Sequence, residues 1–165
     1  MARKVYFSFH YDRDVVRVSR IRNSNVVASN YDRTTFLDHA DWESIKKQGD
    51  SAIKNWIDNQ LIGSTVTCVL IGRLTDTRRW VHYEIEQSIL RKNAILAVYV
   101  HNMKDFGGNT DGPGFNPLAK HKVGNRDLDL IAPAYDWELH DGYKNFGLWI
   151  DEAVTNFRKI DHFRG

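Results

Sequence analysis

The sequence predicts an α/β fold, a central, mostly parallel sheet with helices on both faces. Two observations carry this. Strand signals alternate with helix signals along most of the 165 residues, the pattern of strand–helix–strand units. Two of the strands, Val66-Thr-Cys-Val-Leu-Ile71 and Ala94-Ile-Leu-Ala-Val-Tyr-Val100, are continuous apolar runs, as parallel strands covered on both faces require. The length, with 42% apolar and 27% charged residues, suits one globular domain with a substantial core. No internal repeat or second domain is visible.

In chain order, Lys4-Val-Tyr-Phe-Ser-Phe9 reads as the first strand, rich in aromatic and β-branched residues. A helix follows from Asp14 to about Arg22, with Asp12 or Asp14 as its cap. Val26-Val-Ala28 or Thr34 to Leu37 supplies the second strand. Ser51 to Leu61 is an amphipathic helix, because Ile53, Trp56, Ile57 and Leu61 share one face; Asp50 caps it. Val66 to Ile71 is the third strand, Gly72 to Thr77 a loop, and Arg78 to Lys92 a helix facing the core with Val81, Ile85 and Ile89. Ala94 to Val100 is the fourth strand. Asn102 to Arg126 holds five of the eleven glycines and two of the three prolines, so it reads as a long mobile loop. A short strand is expected near Leu128 to Ala132. The last helix, from about Gly142 to Phe157, carries a stripe of Tyr143, Phe146, Ile150, Val154 and Phe157.

Charge and cysteine content narrow the function. A net charge of +2, with no basic run, argues against nucleic acid or an anionic membrane as partner. The single cysteine, Cys68, cannot form an intramolecular disulfide and reads as a small buried hydrophobe. A strand begins within a few residues of Met1, no signal-peptide pattern is present, and no apolar stretch is of membrane-spanning length. These features predict a cytoplasmic protein.

Trp80-Val-His-Tyr-Glu84 places a carboxylate four residues after a tryptophan, on one face of the helix that follows the third strand. Ligands of open α/β sheets bind beyond the carboxyl ends of the strands, so Glu84 is aimed at the expected site. A packed tryptophan and a solvated glutamate are the alternative. His82 and Glu86 have metal-compatible spacing, as do His39 and Asp41, but two ligands do not make a site; no metal is expected.

Several stretches resemble one family. Lys4-Val-Tyr-Phe-Ser-Phe-His-Tyr-Asp12 is similar to the opening strand and loop of TIR-like domains. Val66 to Gly72 followed by Arg78-Arg-Trp-Val-His-Tyr-Glu-Ile85 is similar to their third strand and next helix. Phe36-Leu-Asp-His-Ala-Asp-Trp-Glu43, Gly49 to Ile57 and the glycine-rich Asn109 to Pro117 resemble the TIR-like sensor proteins of bacterial Thoeris anti-phage systems. The resemblance covers about residues 3 to 118, and residues 1–165 read as a single TIR-like domain.

This resemblance implies a flavodoxin-like, three-layer fold with about five strands in the order 2-1-3-4-5. The switch point then lies between strands 1 and 3, where the loop after strand 1 and the start of the helix after strand 3 converge. The resemblance further implies cleavage of the nicotinamide–ribose bond of NAD, which is substrate and not cofactor, with hydrolysis or cyclisation of the ADP-ribose. It implies an anti-phage role: a phage-derived protein trigger, homo-oligomer assembly on activation, and a cyclic ADP-ribose-type messenger acting on a separate effector protein. Glu84 and Trp80 match the family's Trp-x-x-x-Glu positions, Glu84 as the catalytic carboxylate that stabilises charge on the ribose and accepts bonds from its hydroxyls.

Other candidates for substrate binding surround it. Phe9, His10 and Tyr11 leave the first strand toward the crevice, where an aromatic ring stacks on a base or nicotinamide, unless they are packed under a loop. Ser8 donates to the ligand or satisfies a turn. Arg78 and Arg79 sit at a positive helix end, a conflict that a substrate diphosphate removes; otherwise they are solvated. Asp38 and Trp42 match the family's middle motif and line the pocket, or Trp42 is core. A non-catalytic TIR-like interaction module keeps the fold without the chemistry. A receiver domain lacks its aspartate at Ile71-Gly72, a flavodoxin its phosphate loop after strand 1, and a dinucleotide dehydrogenase its Gly-x-Gly-x-x-Gly.

Overall fold

The structure is a computed structural model that describes residues 3–33 and 39–163, the backbone alone at 32, 33, 39, 40 and 161. The chain runs β1 (Lys4–Ser8), α1 (Tyr11–Arg22), a one-turn α2 (Asn25–Ala28), β2 (Asp32–Arg33), α3 (His39–Lys47) and α4 (Asp50–Leu61). Then come β3 (Val66–Ile71), α5 (Arg79–Leu90) and β4 (Ala94–Tyr99). After an irregular stretch follow β5 (Lys122–Val123), β6 (Arg126–Asp127), α6 (Leu128–Ile131), β7 (Ala134–Asp136) and α7 (Gly142–Arg158).

Five strands form one parallel sheet in the order β2-β1-β3-β4-β7. Counted along the chain, this is the order 2-1-3-4-5, the flavodoxin-like arrangement that the sequence resemblance implies. β3 is buried at every residue and β4 at all but Tyr99, which explains why neither run alternates with polar residues. One face of the sheet carries Val5 and Phe7 toward α7, with Phe7 and Phe146 rings 6.2 Å apart. The other carries Tyr6 against Ile53, Ile57 and Leu61 of α4.

One strand lies elsewhere than expected, and one of the two alternatives for the second strand is excluded. Val26 to Ala28 belongs to α2, and the second strand is Asp32–Arg33; Thr34 to Leu37 lies outside the described residues. Leu128 to Ala132 is not a strand. Its apolar residues are spaced for one helical turn, Leu128 and Ala132 being buried and Ala132 N–H bonding Leu128 C=O at 2.9 Å. Pro133 then ends that turn, and the strand begins at Ala134. α1 starts at Tyr11, so Asp12 and Asp14 lie in its first turn, favourable to the helix dipole, and the cap position is His10. On α7 the buried stripe includes Trp149, whereas Tyr143 is half exposed. Gly142 opens that helix because a Cβ there would overlap the Trp137 ring.

The 102–126 stretch is irregular but anchored. Met103, Leu118 and Val123 are buried in the main core, and β5 and β6 form a small antiparallel hairpin. α1 holds the stretch with arginines spaced i, i+4 and i+7, which places them on one helix face. Arg13 pairs with Asp111, and Arg20 donates to the Lys104 carbonyl. Between them the buried Arg17 donates to the carbonyls of Met103 at 2.8 Å and Asn109 at 3.1 Å, and to Asp14 at 3.3 Å. Loop composition signals lack of regular structure, not lack of tertiary anchors, so the expectation of a freely mobile loop does not follow from it.

Arg17→Met should therefore leave a buried carboxylate, Asp14, and the Met103 carbonyl unpartnered, and strip Asn109 C=O of one of its two bonds, at about 3 kcal/mol, or a fall in Tm of about 6–12 °C. Amides of residues 103–111 should lose protection in hydrogen exchange first. Equal protection in both proteins would show that the arginine face does not hold the stretch.

Candidate active site

Side chains of a strand alternate between faces, so Tyr6 and Ser8 of β1 point together toward α4 and α5. α5 brings Glu84 over them. The Tyr6 hydroxyl donates to Oε2 of Glu84, and Ser8 Oγ donates to Oε1 at 3.2 Å. The helix is seated by a buried polar chain. Ser88 Oγ donates to the Glu84 carbonyl at 2.7 Å and lies 2.7 Å from Thr67 Oγ1 of β3. Asn93 then donates to Thr67 Oγ1 at 3.1 Å and to Ser64 Oγ at 2.9 Å.

Glu84 is only 7% exposed. Burial pushes its carboxyl up to about 8, against the bonds from Tyr6 and Ser8, which pull it down. The Tyr6 phenol is raised well above its ordinary value, by burial first and then by Glu84, so it stays protonated and remains a donor. Such a displaced carboxyl in a cleft marks a functional-site candidate.

Above Glu84 lies a cleft at the carboxyl end of β1, lined by Phe9, His10, Tyr11 and Asp12, by Trp42 and Trp56 of the α3–α4 side, and by Arg78, Trp80 and Val81. Its aromatic wall is continuous. Ring centroids run Phe9 to Tyr11 at 6.0 Å, Tyr11 to Trp42 at 5.6 Å and Trp42 to Trp56 at 6.3 Å. The half-buried His10 has its pKa lowered by burial and then by Arg78, so the neutral imidazole is favoured. The arrangement is a mostly apolar slot with one buried carboxyl at its base, suited to a ligand that has flat rings and a centre of positive charge.

The sequence candidates separate accordingly. Glu84, Phe9, His10, Tyr11, Trp42, Arg78 and Trp80 are brought together around the cleft. Ser8 is fully buried and bonded to Glu84, which puts it under the carboxylate and not on the cleft wall. Arg79 is exposed, paired with Asp50, and stacked 4.5 Å from the Trp80 ring centre. Asp38 lies outside the described residues. Sequence reasoning missed Tyr6 and took Trp56 only as core. The signal for Tyr6 was available: two hydroxyl residues at i and i+2 on a buried strand share one face, and each needs a partner there.

Among the described residues no three His, Cys, Asp or Glu side chains group as a metal site. His82 is half-buried rather than solvated. Its Nδ1 is 2.8 Å from His121 Nε2, and its Nε2 is 2.7 Å from the Asp76 carbonyl. It ties α5 to the anchored stretch.

The displaced carboxyl has a measurable consequence for stability. An unfolded glutamate titrates near about 4.3, whereas Glu84 keeps its proton to about 8 in the fold. Between these values the folded state binds the extra proton, so raising pH through the window destabilises it. Glu84→Gln removes that titration. Its Tm should gain on wild type progressively from about pH 5 to 8 and level off above. A difference that stays constant across the range would mean that Glu84 titrates normally.

Residues 6–105 match the family described as "Thoeris protein ThsB, TIR-like domain". The chain is also 33% identical over 193 aligned positions, covering 92% of this chain and 100% of the relative, to the "Putative cyclic ADP-D-ribose synthase ThsB1" of Bacillus cereus (strain MSX-D12). Among the described residues no helix is long and apolar enough to cross a membrane. With the expected sheet order and a match of this extent, the chain belongs to the Thoeris ThsB TIR-like family.

Proposed function

We propose that this protein cleaves the nicotinamide–ribose bond of NAD and closes the ADP-ribose into a cyclic messenger that acts on a separate effector protein, in a cytoplasmic anti-phage response set off by a phage-derived protein. The observation that carries the chemistry is Glu84, a buried carboxyl at the base of an aromatic cleft at the sheet's switch point. The name of the Bacillus cereus relative, a cyclic ADP-D-ribose synthase, supports cyclisation as the outcome.

Breaking the glycosidic bond sends its electron pair to the nicotinamide nitrogen, which becomes neutral, and leaves positive charge on the ribose. An ionised Glu84 below that ring stabilises the charge and can accept bonds from ribose hydroxyls. A nucleophilic atom of the ADP-ribose then bonds to the ribose carbon and releases any proton it carries. The aromatic wall favours this internal attack by displacing water. Glu84 is neutral in the empty cleft near pH 7, but the cationic nicotinamide favours its ionised form. Substrate binding and proton release are thus coupled.

Two measurements test this. Glu84→Gln, which keeps the shape, should lower NAD turnover by about 10²–10³-fold. In the wild type kcat/KM should rise with pH to a midpoint near 8, and the corresponding limb in kcat should lie lower, because it reports the substrate complex. Mass spectrometry of the products separates a cyclic ADP-ribose from the linear one. Full turnover by folded Glu84→Gln would remove the carboxylate from the mechanism.

The two arginines should behave differently. Arg78 lines the cleft, whereas Arg79 is engaged with Asp50 and Trp80. Arg78→Gln should raise KM for NAD at low salt, an effect that shrinks as salt screens it. Arg79→Gln should leave KM unchanged. Equal effects of both would place the diphosphate on the exposed helix end.

A further inference from the structure

We propose that Tyr6 is a positioning residue for Glu84, its buried hydroxyl orienting the carboxylate toward the cleft and favouring the anionic form that the reaction uses. This rests on the function proposed above and assigns a role to a residue outside the Trp-x-x-x-Glu motif.

The geometry is specific. A carboxylate has two oxygens and about four lone-pair sites. Tyr6 fills one on Oε2 and Ser8 one on Oε1, both from β1 and from the same side. The outer lone pairs of both oxygens are thereby left for a ligand. Tyr6 itself has little freedom. It is 2% exposed, packs against Ile53, Ile57 and Leu61, and belongs to a strand paired on both sides. Glu84 sits on a different element, so without these bonds its side chain would take any rotamer that α5 allows.

The hydroxyl also sets the proton. A bond donated to the charged form stabilises that form. Tyr6 is the larger of the two hydrogen-bond contributions that lower the Glu84 pKa against burial. The charged groups around the pair do not replace it. Asp58 of α4 is bonded to Tyr83 at 2.8 Å and raises Tyr6. Asp12 of α1, Lys46 of α3, His10 and Arg78 stand at the cleft mouth or behind it. Lys46 is bonded to Glu43 at 2.6 Å.

The test reads the carboxylate directly. Protein labelled with carbon-13 at the glutamate side-chain carboxyl is titrated by NMR, and the Glu84 resonance is identified by its loss in Glu84→Gln. In Tyr6→Phe the Glu84 midpoint should move up by about half a pH unit or more, and in Ser8→Ala by less. In wild-type protein labelled at the tyrosine ring carbon that bears the hydroxyl, the Tyr6 resonance should step at the same pH as Glu84. An unmoved midpoint in folded Tyr6→Phe overturns the proposal. Should that variant fail to fold, a wild-type Tyr6 resonance without that shared step overturns it equally. Neither arm needs NAD turnover, so absence of turnover in wild type would sink the enzymatic reading while leaving the positioning of Glu84 decided. Where turnover is seen, Tyr6→Phe should lower kcat by about tenfold with KM within about twofold, and should shift the acid limb upward. A merely structural role would lower Tm and leave the limb in place.

Discussion

A carboxyl group is poorly accommodated away from water, and the site is organised around the one at Glu84. Its burial works only because β1 and α5 meet at a fixed distance, with donors on the strand and the acceptor on the helix. That meeting in turn requires β1 and β3 to be adjacent and parallel, with Tyr6 opposite Thr67 in register. Thr67 then seats Ser88, and Ser88 seats the carbonyl of Glu84 itself. A slip of one residue in β1 would turn Tyr6 and Ser8 to the other face, toward α7. Sheet register and site chemistry are therefore one constraint.

The same economy appears where α1 meets the end of β3. Asp14 of α1 packs so closely on Gly72, at the end of β3, that a Cβ there would overlap its carboxylate. Arg17 satisfies one oxygen of Asp14 and also binds carbonyls of the 102–126 stretch. The first turns of α1 thus fix the ends of β3 and of the irregular stretch together. The cleft residues His10, Tyr11 and Asp12 lie just before or within those turns, so their placement inherits this rigidity.

How much of this was legible in the sequence depends on the range of the interaction. β3 and β4 could be read because burial on both faces leaves an apolar run that needs no partner to be recognised. α4 could be read because its buried face repeats locally. β7 could not, because a three-residue strand is defined by the neighbour it pairs with, and for the same reason the second strand was left between two alternatives, of which Val26 to Ala28 is helical. The arginine face of α1 was visible as spacing, but Arg17 and Arg20 reach carbonyls 84 to 92 residues away, and backbone acceptors carry no sequence signature; Arg13 reaches a carboxylate, Asp111, 98 residues away. At the site, Glu84 was found from helix spacing and its place after β3. Tyr6 was passed over as an ordinary strand aromatic, and Ser8 was assigned to the ligand, because their common acceptor comes from 76 to 78 residues further on. Arg78 and Arg79 looked equivalent in sequence. The turn of the helix separates them, giving one to the cleft and the other to Asp50.

The raised proton affinity of Glu84 bears on why a buried carboxyl would suit the proposed chemistry. In the empty cleft the neutral acid avoids most of the desolvation penalty that an anion would carry there. A ligand that brings a positive ring to the cleft supplies the partner that makes the anion favourable, at the moment that the anion is useful. A ligand without such a ring meets a neutral, hydrogen-bonding acid between aromatic walls and gains no charge pairing. On the proposed function, the site would discriminate by charge through the state of the one proton at the base of the cleft. The hydroxyls of Tyr6 and Ser8 set the threshold. With no donors the acid would resist ionisation even under a cation, and with more of them it would be charged before any ligand arrived. Two donors from one strand, opposing burial without overcoming it, leave the group poised where binding can tip it.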